Sequence, residues 1–408
     1  MDLNDPLKSF RNEFHIPNRN GKPVIYFCGN SLGLQPKITR KYLEAELLKW
    51  EQLAVDGHFS APSPWIDLHK KLKPGLCQLL GAKVHEVCPM NSLTNNLHFL
   101  LASFYSPIGS RTKILTEDGA FPSDEYAVGS HIKFRGFNPE NIVIKAGPEN
   151  GKFTIPNEKI IETIHAKSDE ISLVMLSGIQ YYSGQFFDLK GITKAAHECG
   201  VLIGFDLAHA IGNVPLSLHD WGVDFATWCT YKYLNSGPGA VSGIYIHEKY
   251  ANDTSMPRLA GWWGQNESRR FLMEPAFNPE PGADGWQQSN QNILSLAAHQ
   301  AAMEIFERAG MDRLRSKSIL LTNYLEYLIR DMPEIEIITP SSPNQRGAQL
   351  SLFFIENGKA CFDFLVKNGV TGDWREPNVI RVAPTPLYNT FKEVYRFAEI
   401  LRSFFKRE

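Results

Sequence analysis

The stretch Thr230-Tyr231-Lys232-Tyr233-Leu234-Asn235 decides the reading of the chain. An apolar run, Phe225-Ala226-Thr227-Trp228-Cys229, precedes it and reads as a buried strand. Ser236-Gly237-Pro238-Gly239-Ala240 follows, a loop almost without side-chain bulk. A lysine between a buried strand and a glycine loop is an unusual placement. Lysine is almost never fully buried without a partner, and at an ordinary strand end it snorkels into water. An amine held out of water loses proton affinity and becomes a usable nucleophile and base. Forming an imine with an aldehyde cofactor is one way to satisfy it.

Outward from this stretch, strand-like runs recur at 113–116, 142–145, 171–176, 201–205 and 241–246. Several are apolar without alternation, as expected of strands covered on both faces. Helical patterns separate them, which argues an α/β fold with a mostly parallel sheet. Before them lie a short strand at 24–27, the turn Cys28-Gly29-Asn30-Ser31-Leu32-Gly33, and helices expected at 37–55 and 65–80. A further helix runs through Leu97, Leu100, Leu101 and Phe104, with Thr94 as its candidate N-cap. Residues 251–290 are irregular and rich in large aromatics, so they read as a functional segment and not a linker. Residues 293–332 read as helix broken near Gly310, with Leu320, Tyr324, Leu325, Leu328 and Ile329 facing inward. Strands at 335–338, 349–354 and 379–383 and helices at 361–368 and 391–405 make a separate α+β tail.

With 408 residues the chain is too long for one simple core, and two packed domains are expected. Hydrophobic residues make up 43%, charged residues 21%, and the formal net charge is -2. No basic surplus points to nucleic acid or anionic lipid. The six cysteines, Cys28, Cys77, Cys88, Cys199, Cys229 and Cys361, form no close CxxC pair, so no metal site is expected. Reduced thiols in a cytoplasmic protein are the simplest account. The amino terminus lacks an apolar signal core, and no apolar run approaches the ~20 residues of a membrane span.

Polar residues collect just past the C-terminal ends of four of these strands. They are Phe121-Pro122-Ser123-Asp124, Ser177-Gly178, Asp206-Leu207-Ala208-His209 and Tyr231-Lys232. That edge of an open parallel sheet is where ligands bind. Asp206 at a buried strand end must find a cation or donors; a protonated pyridine nitrogen would serve, and so would the cap of a following helix. His209, expected one helical turn on, reads as a cofactor partner, as support for Asp206, or as a packed core residue. The helix start at Thr94 is a natural phosphate seat, and Phe121 offers a face to a flat ring. Trp262 and Asn290 are placed to close over a phosphate. Together these pieces describe a site for pyridoxal phosphate, with Lys232 at the aldehyde and Asp206 at the ring nitrogen.

At these residues the chain resembles kynureninase, a fold-type-I pyridoxal-phosphate hydrolase. The resemblance runs along nearly the whole chain, through 27–36, 91–98, Phe121-Pro122-Ser123-Asp124, 204–210, 218–226, 231–235, Gly261-Trp262 and 380–384. It implies a large cofactor-binding domain (61–300) with a mostly parallel seven-stranded sheet. It also implies a small C-terminal α+β domain (301–408) and an N-terminal segment (1–60) packing with it. The implied activity is hydrolytic Cβ–Cγ cleavage of L-kynurenine or 3-hydroxy-L-kynurenine to an anthranilate and L-alanine, through a ketimine and a gem-diol. The implied setting is tryptophan catabolism or NAD biosynthesis. Leu93, Thr94, Phe121, Pro122, Ser123, Asp124, Ser177, Asp206, His209, Tyr231 and Lys232 would surround the cofactor in a homodimer with shared sites. Trp262 and Asn290 would reach the phosphate from the partner subunit. Arg381 would pair with the substrate carboxylate, where a bidentate fork fits best. Ser31, His58, Ser289 and Asn290 are placed with the substrate, and the last three match relatives that favour the 3-hydroxylated form. Lys232, Tyr231 and Asp206 are the catalytic expectation, with Tyr231 as the proton shuttle. A desulfurase-like reading would need a mobile nucleophilic cysteine, and Cys361 falls in an expected helix. An aminotransferase would instead give a keto acid, and a regulatory cofactor-binding protein would need no acid–base pair.

Overall fold

The structure is a computed structural model that describes residues 1–406. After two 3-10 turns and a small antiparallel pair (Asn18–Arg19 with Lys22–Pro23) come a two-residue strand, β1 (Ile25–Tyr26), and helix α1 (Thr39–Leu53). The helix expected at 65–80 is split: Trp65–Leu72 winds as 3-10 helix and α2 (Lys73–Leu80) follows. Pro74 sits in the first turn of α2, where its missing N–H costs nothing. Then come β2 (Val87–Pro89), α3 (Leu93–Phe104), β3 (Lys113–Glu117), α4 (Pro122–Phe134) and β4 (Val143–Ala146). They are followed by α5 (Asn157–Ala166), β5 (Ile171–Ser177), α6 (Leu189–Glu198), β6 (Leu202–Asp206), β7 (Phe225–Trp228) and β8 (Gly243–Ile246).

These seven longer strands make one sheet in the order β2-β8-β7-β6-β5-β3-β4. Only β8 runs against the others, pairing antiparallel with both β7 and β2. Along β5 the two faces alternate: Leu173 and Met175 pack with Phe104, Phe225 and Trp286, while Val174 and Leu176 pack with Phe187, Phe205 and Leu234. Both faces are therefore covered, which is why the strands read as continuous apolar runs. β2 escaped the sequence reading because three residues ending in proline carry almost no strand signal.

Helices α7 (Ile293–Ala309) and α8 (Met311–Ile329) meet at Gly310, whose φ of 75° suits glycine. On α8 the inward stripe is Leu321, Leu325 and Ile329, with Tyr324 and Leu328 at its margin. Leu320 is 50% exposed, one position off the four-residue repeat that faces the core. A second sheet, in the order β9-β10-β13-β12, contains β9 (Ile335–Ile337), β10 (Leu350–Phe354), β12 (Asp373–Arg375) and β13 (Val379–Val382). It packs with α8, α9 (Gly358–Lys367) and α10 (Phe391–Phe405) around Phe354, Leu365 and Phe397. The short β11 (Val370–Thr371) pairs in parallel with β1, which ties the first residues of the chain to this unit. α1, by contrast, lies against α7.

The turn at 28–33 is seated on the lysine stretch. The Gly33 amide donates to the Tyr231 carbonyl at 2.8 Å. A Cβ built at Gly33 would stand 2.3 Å from the Lys232 carbonyl and 2.3 Å from Asn235 Oδ1, so only glycine fits. Asn235 itself takes the left-handed conformation at φ 58°, which asparagine tolerates better than most residues. Gly33→Ala should therefore cost about 1–3 kcal/mol through overpacking. Thermal unfolding checks this, and an unchanged melting temperature would show that the turn is not held there.

Candidate active site

The parallel strands β3, β5, β6 and β7 end at one edge of the large sheet, and a cavity opens there. Its wall includes Leu93, Thr94, Phe121, Ser123, Asp124, Ser177, Asp206, His209, Tyr231 and Lys232. Ten expected cofactor residues from five separate stretches of chain thus meet in one place. Ile179, Tyr181 and Ala208 line it too and were not anticipated; Tyr181 carries no motif beyond its nearness to Ser177.

Lys232 is half-buried and not sealed from solvent as the flanking sequence suggested. Its ammonium donates to His209 Nε2 at 3.0 Å and lies 5.8 Å from the centre of the Phe121 ring. Burial, and then the nearby Lys232 charge, push the His209 pKa well below the usual histidine range. His209 is therefore neutral, which lets Nε2 accept from the amine and leaves a hydrogen on Nδ1. That Nδ1 is buried and has no partner in the protein.

Asp206 ends β6, and Oδ1 accepts the Ala208 amide at 2.7 Å. No helix follows: residues 208–213 form turns, so the helix-cap reading of Asp206 fails and His209 is presented by a turn. Two further carboxyls stand behind it. Asp124 touches Asp206, and both oxygens of Glu117 accept the Ser177 amide at 3.2 Å. Burial, then the charge of Asp206, raises the Asp124 pKa well above the carboxylate range. Burial raises Asp206 as well, but Lys232, the Ala208 amide and Asp124 oppose it. Asp124 is the member that keeps a proton, donating it to the Asp206 carboxylate.

Two helix starts meet in the cavity wall. Ser92, and not Thr94, is the N-cap of α3; Thr94 lies inside its first turn. α4 begins at Pro122 with Phe121 as its N-cap. The two first turns face each other, with Thr94 Oγ1 and Ser123 Oγ 2.7 Å apart. Two helix N-termini and two hydroxyls on one spot suit a dianion. Ser177 Oγ, like His209 Nδ1, is buried without a partner. These orphaned groups in the cavity wall fit a flat ring carrying polar substituents, as pyridoxal phosphate does. Burial raises the Tyr231 pKa, and the hydroxyl contacts the Cys229 thiol, so the phenol is neutral.

The remaining expected residues lie outside this wall. Pro122 starts α4 without lining the cavity. Arg381 is buried behind Tyr181, donating from Nη1 to the Tyr181 carbonyl at 2.8 Å and pairing through Nη2 with Asp373. Ser31 sits in the docked turn. His58 is bonded through Nδ1 to the Val55 carbonyl at 3.0 Å. Ser289 and Asn290 are exposed, and Trp262 is 45% exposed with its indole donating to the Arg270 carbonyl. Cys361 is buried in α9 with its thiol pushed up to about 12, so it offers no thiolate to the cavity.

A family model described as the kynureninase C-terminal domain matches residues 314–401. Kynureninase from Flavobacterium psychrophilum is 49% identical over 407 residues, covering 98% of this chain and 96% of that protein. Kynureninase from Koribacter versatilis is 49% identical over 402 residues, covering 98% and 95%. Among solved structures, a cysteine desulfurase from Thermococcus onnurineus NA1 superposes with a TM-score of 0.79 at 14% identity, covering 94% and 95% of the two chains. The cystine C-S lyase C-DES does so with a TM-score of 0.79 at 17% identity, covering 93% and 97%. The latter two likenesses establish the fold alone.

The proton on Asp124 has a measurable consequence. An unfolded aspartate titrates near about 3.9, and the folded one titrates higher. Between those values the unfolded chain binds fewer protons, so the wild type loses stability as pH rises. Asp124→Asn has no such term and should gain on the wild type as pH rises from about 4 toward neutrality. Melting temperatures across that range check the sign; a pH-independent difference would place the proton elsewhere.

Proposed function

The chain belongs to the kynureninase family, and from that premise we propose how its residues divide the work. The activity is hydrolytic cleavage of the Cβ–Cγ bond of kynurenine, giving an anthranilate and L-alanine, with pyridoxal phosphate as cofactor. The observation that carries the assignment is the meeting of Lys232, Asp206 and Tyr231 in one cavity, with the Arg381 guanidinium one residue behind its wall.

Lys232 would hold the aldehyde end of the cofactor, Asp206 its ring nitrogen, Phe121 its ring face, and Thr94 with Ser123 its phosphate. Leu93, Pro122, Asp124, Ser177 and His209 shape or support that seat. When bound, the cofactor supplies an electron sink that stabilises negative charge at the substrate's Cα and Cβ. Lys232, once free, takes the proton from Cα. Neutral His209 accepts a hydrogen bond from that amine and fixes where it points. Tyr231 is half-buried, and its neutral hydroxyl moves protons at the carbonyl and at Cβ. Arg381 takes the substrate's α-carboxylate.

A homodimer completes the site on this reading. Trp262, Ser289, Asn290 and His58 do not line their own chain's cavity, and their neighbourhood carries exposed Phe59, Phe271 and Met273. An apolar surface of that kind suits a second copy, which would bring Trp262 and Asn290 to the partner's phosphate. His58, Ser289 and Asn290 would then meet the substrate ring and favour the 3-hydroxylated form. Cytoplasmic tryptophan breakdown or NAD synthesis is the matching setting; among the described residues no helix is long and apolar enough to cross a membrane.

Adding L-kynurenine or 3-hydroxy-L-kynurenine to the loaded protein should release the corresponding fluorescent anthranilate, and absence of product from both would refute the activity. Tyr231→Phe should retain the cofactor and lose about 10²- to 10⁴-fold in kcat, the usual range for a general acid–base group. Unchanged turnover would remove Tyr231 from the mechanism. Borohydride treatment of the loaded wild type should fix the cofactor on Lys232, read by peptide mass. Lys232→Ala should take up no such label, and label elsewhere would overturn the anchor.

A further inference from the structure

Arg381 does not stand alone. β12 and β13 pair antiparallel with Asp373 directly opposite Arg381 and Arg375 opposite Val379. Asp373 accepts from Arg381 Nη2 and also from Arg375 Nη2, the latter at 3.0 Å. One carboxylate thus serves two guanidiniums, and one unit of positive charge stays unmatched. Arg381 is only 1% exposed, yet its Nε–H has no acceptor, and the buried Nε of Arg375 has none either. Buried donors of this kind are rarely left unpaired in a finished structure. The charge is felt in the cavity: after burial and Lys232, Arg381 and then Arg375 push the His209 pKa down.

The third fixed point is the Tyr181 carbonyl. It accepts Arg381 Nη1 and also Gln349 Nε2 at 3.0 Å, and Gln349 in turn accepts from Asn30 Nδ2 at 2.9 Å. Asn30 is fully buried, so this chain of bonds runs from the docked turn at 28–33 to the guanidinium. Asp373 on one terminal nitrogen and Tyr181 on the other leave Nε–H, together with the second hydrogen of each terminal nitrogen, still open. Arg holds its five donors in a rigid fork, so occupying two of them orients the rest.

We propose that Arg375, Asp373 and Arg381 form one carboxylate-recognition unit, in which Asp373 is the positioning residue that aims Arg381 and Arg375 supplies the positive charge left for the substrate's α-carboxylate. This rests on the reading of Arg381 given above and adds two residues to it. The bound carboxylate brings the unit to neutrality and gives the buried Nε–H its acceptor. Neither Asp373 nor Arg375 touches the reacting atoms.

The test is steady-state kinetics of the loaded enzyme on L-kynurenine, beside inhibition by its decarboxylated analogue, which lacks the group in question. Asp373→Ala should raise KM about tenfold or more, the scale of losing a hydrogen bond to a charged group, while kcat moves much less. Asp373→Asn keeps an oxygen for the Arg381 N–H and should recover most of that affinity. Arg375→Gln should raise KM several-fold and flatten its dependence on salt. Inhibition by the decarboxylated analogue should be the same in all of them. An unchanged KM in Asp373→Ala, or a fall in kcat with KM unchanged, overturns the proposal. Should Asp373→Ala fail to fold, because it leaves a buried charge unpaired, Arg375→Gln decides: an unchanged KM, or equal weakening of the analogue, sinks it. A wild type that makes no anthranilate from L-kynurenine or from its 3-hydroxylated form would instead defeat the assigned activity, a separate failure.

Discussion

The structure depends on one electrostatic constraint: several ionisable groups are packed into the C-terminal edge of a parallel sheet with little water to solvate them. Asp206 and Asp124 are buried beside the single amine of Lys232, and Glu117 is buried next to both acids. Four charges cannot all persist there, because desolvating a carboxylate without a partner is costly. The arrangement resolves this by protonating Asp124, neutralising His209 and leaving Asp206 as the anion nearest the amine. On the proposed reading, a cofactor with a basic ring nitrogen and an anionic tail would complete the pairing, its nitrogen at Asp206 and its tail at two helix N-termini. The polarity of the cavity therefore follows from its charge balance.

The smaller sheet takes part in the same site through backbone and side-chain struts. Gly33 lies against the Lys232 carbonyl, so the first segment of the chain is locked to the reactive turn. Gly29 is similarly close to Tyr388 and Thr385 in the C-terminal unit. Asn30, Gln349 and the Tyr181 carbonyl lead from that segment to Arg381. A motif that looks like a simple glycine turn is the joint where the two sheets meet. Its glycines are required by close approach; neither the Gly29 nor the Gly33 position has a left-handed backbone.

Much of this was legible in one dimension, and the misses have specific causes. Six strands of the large sheet were legible, most of them as apolar runs because both their faces are covered; the edge strand β4 carries an exposed Lys145. β2 was not legible, since three residues carry no period. Thr94 looked like a cap because hydroxyl residues favour that position, but Ser92 stands two places earlier and the helix starts after it. Leu320 was placed inward from a run of leucines whose phase only packing resolves. Asp373 and Arg375 gave no signal alone. They become meaningful once β12 and β13 form a hairpin, which sets Asp373 against Arg381.

The order of residues along the chain determined the α/β class, the kind of cofactor, and the placing of a lysine and an aspartate just at or past the ends of buried strands. Those are local facts: a strand's burial pattern and the residue at its end are written within a few positions of each other. The tertiary structure alone decided which acid keeps its proton, that His209 faces the amine, and that a second arginine shares Asp373. Protonation and charge sharing depend on distances between groups from separate strands, and such distances exist only after the sheet has formed.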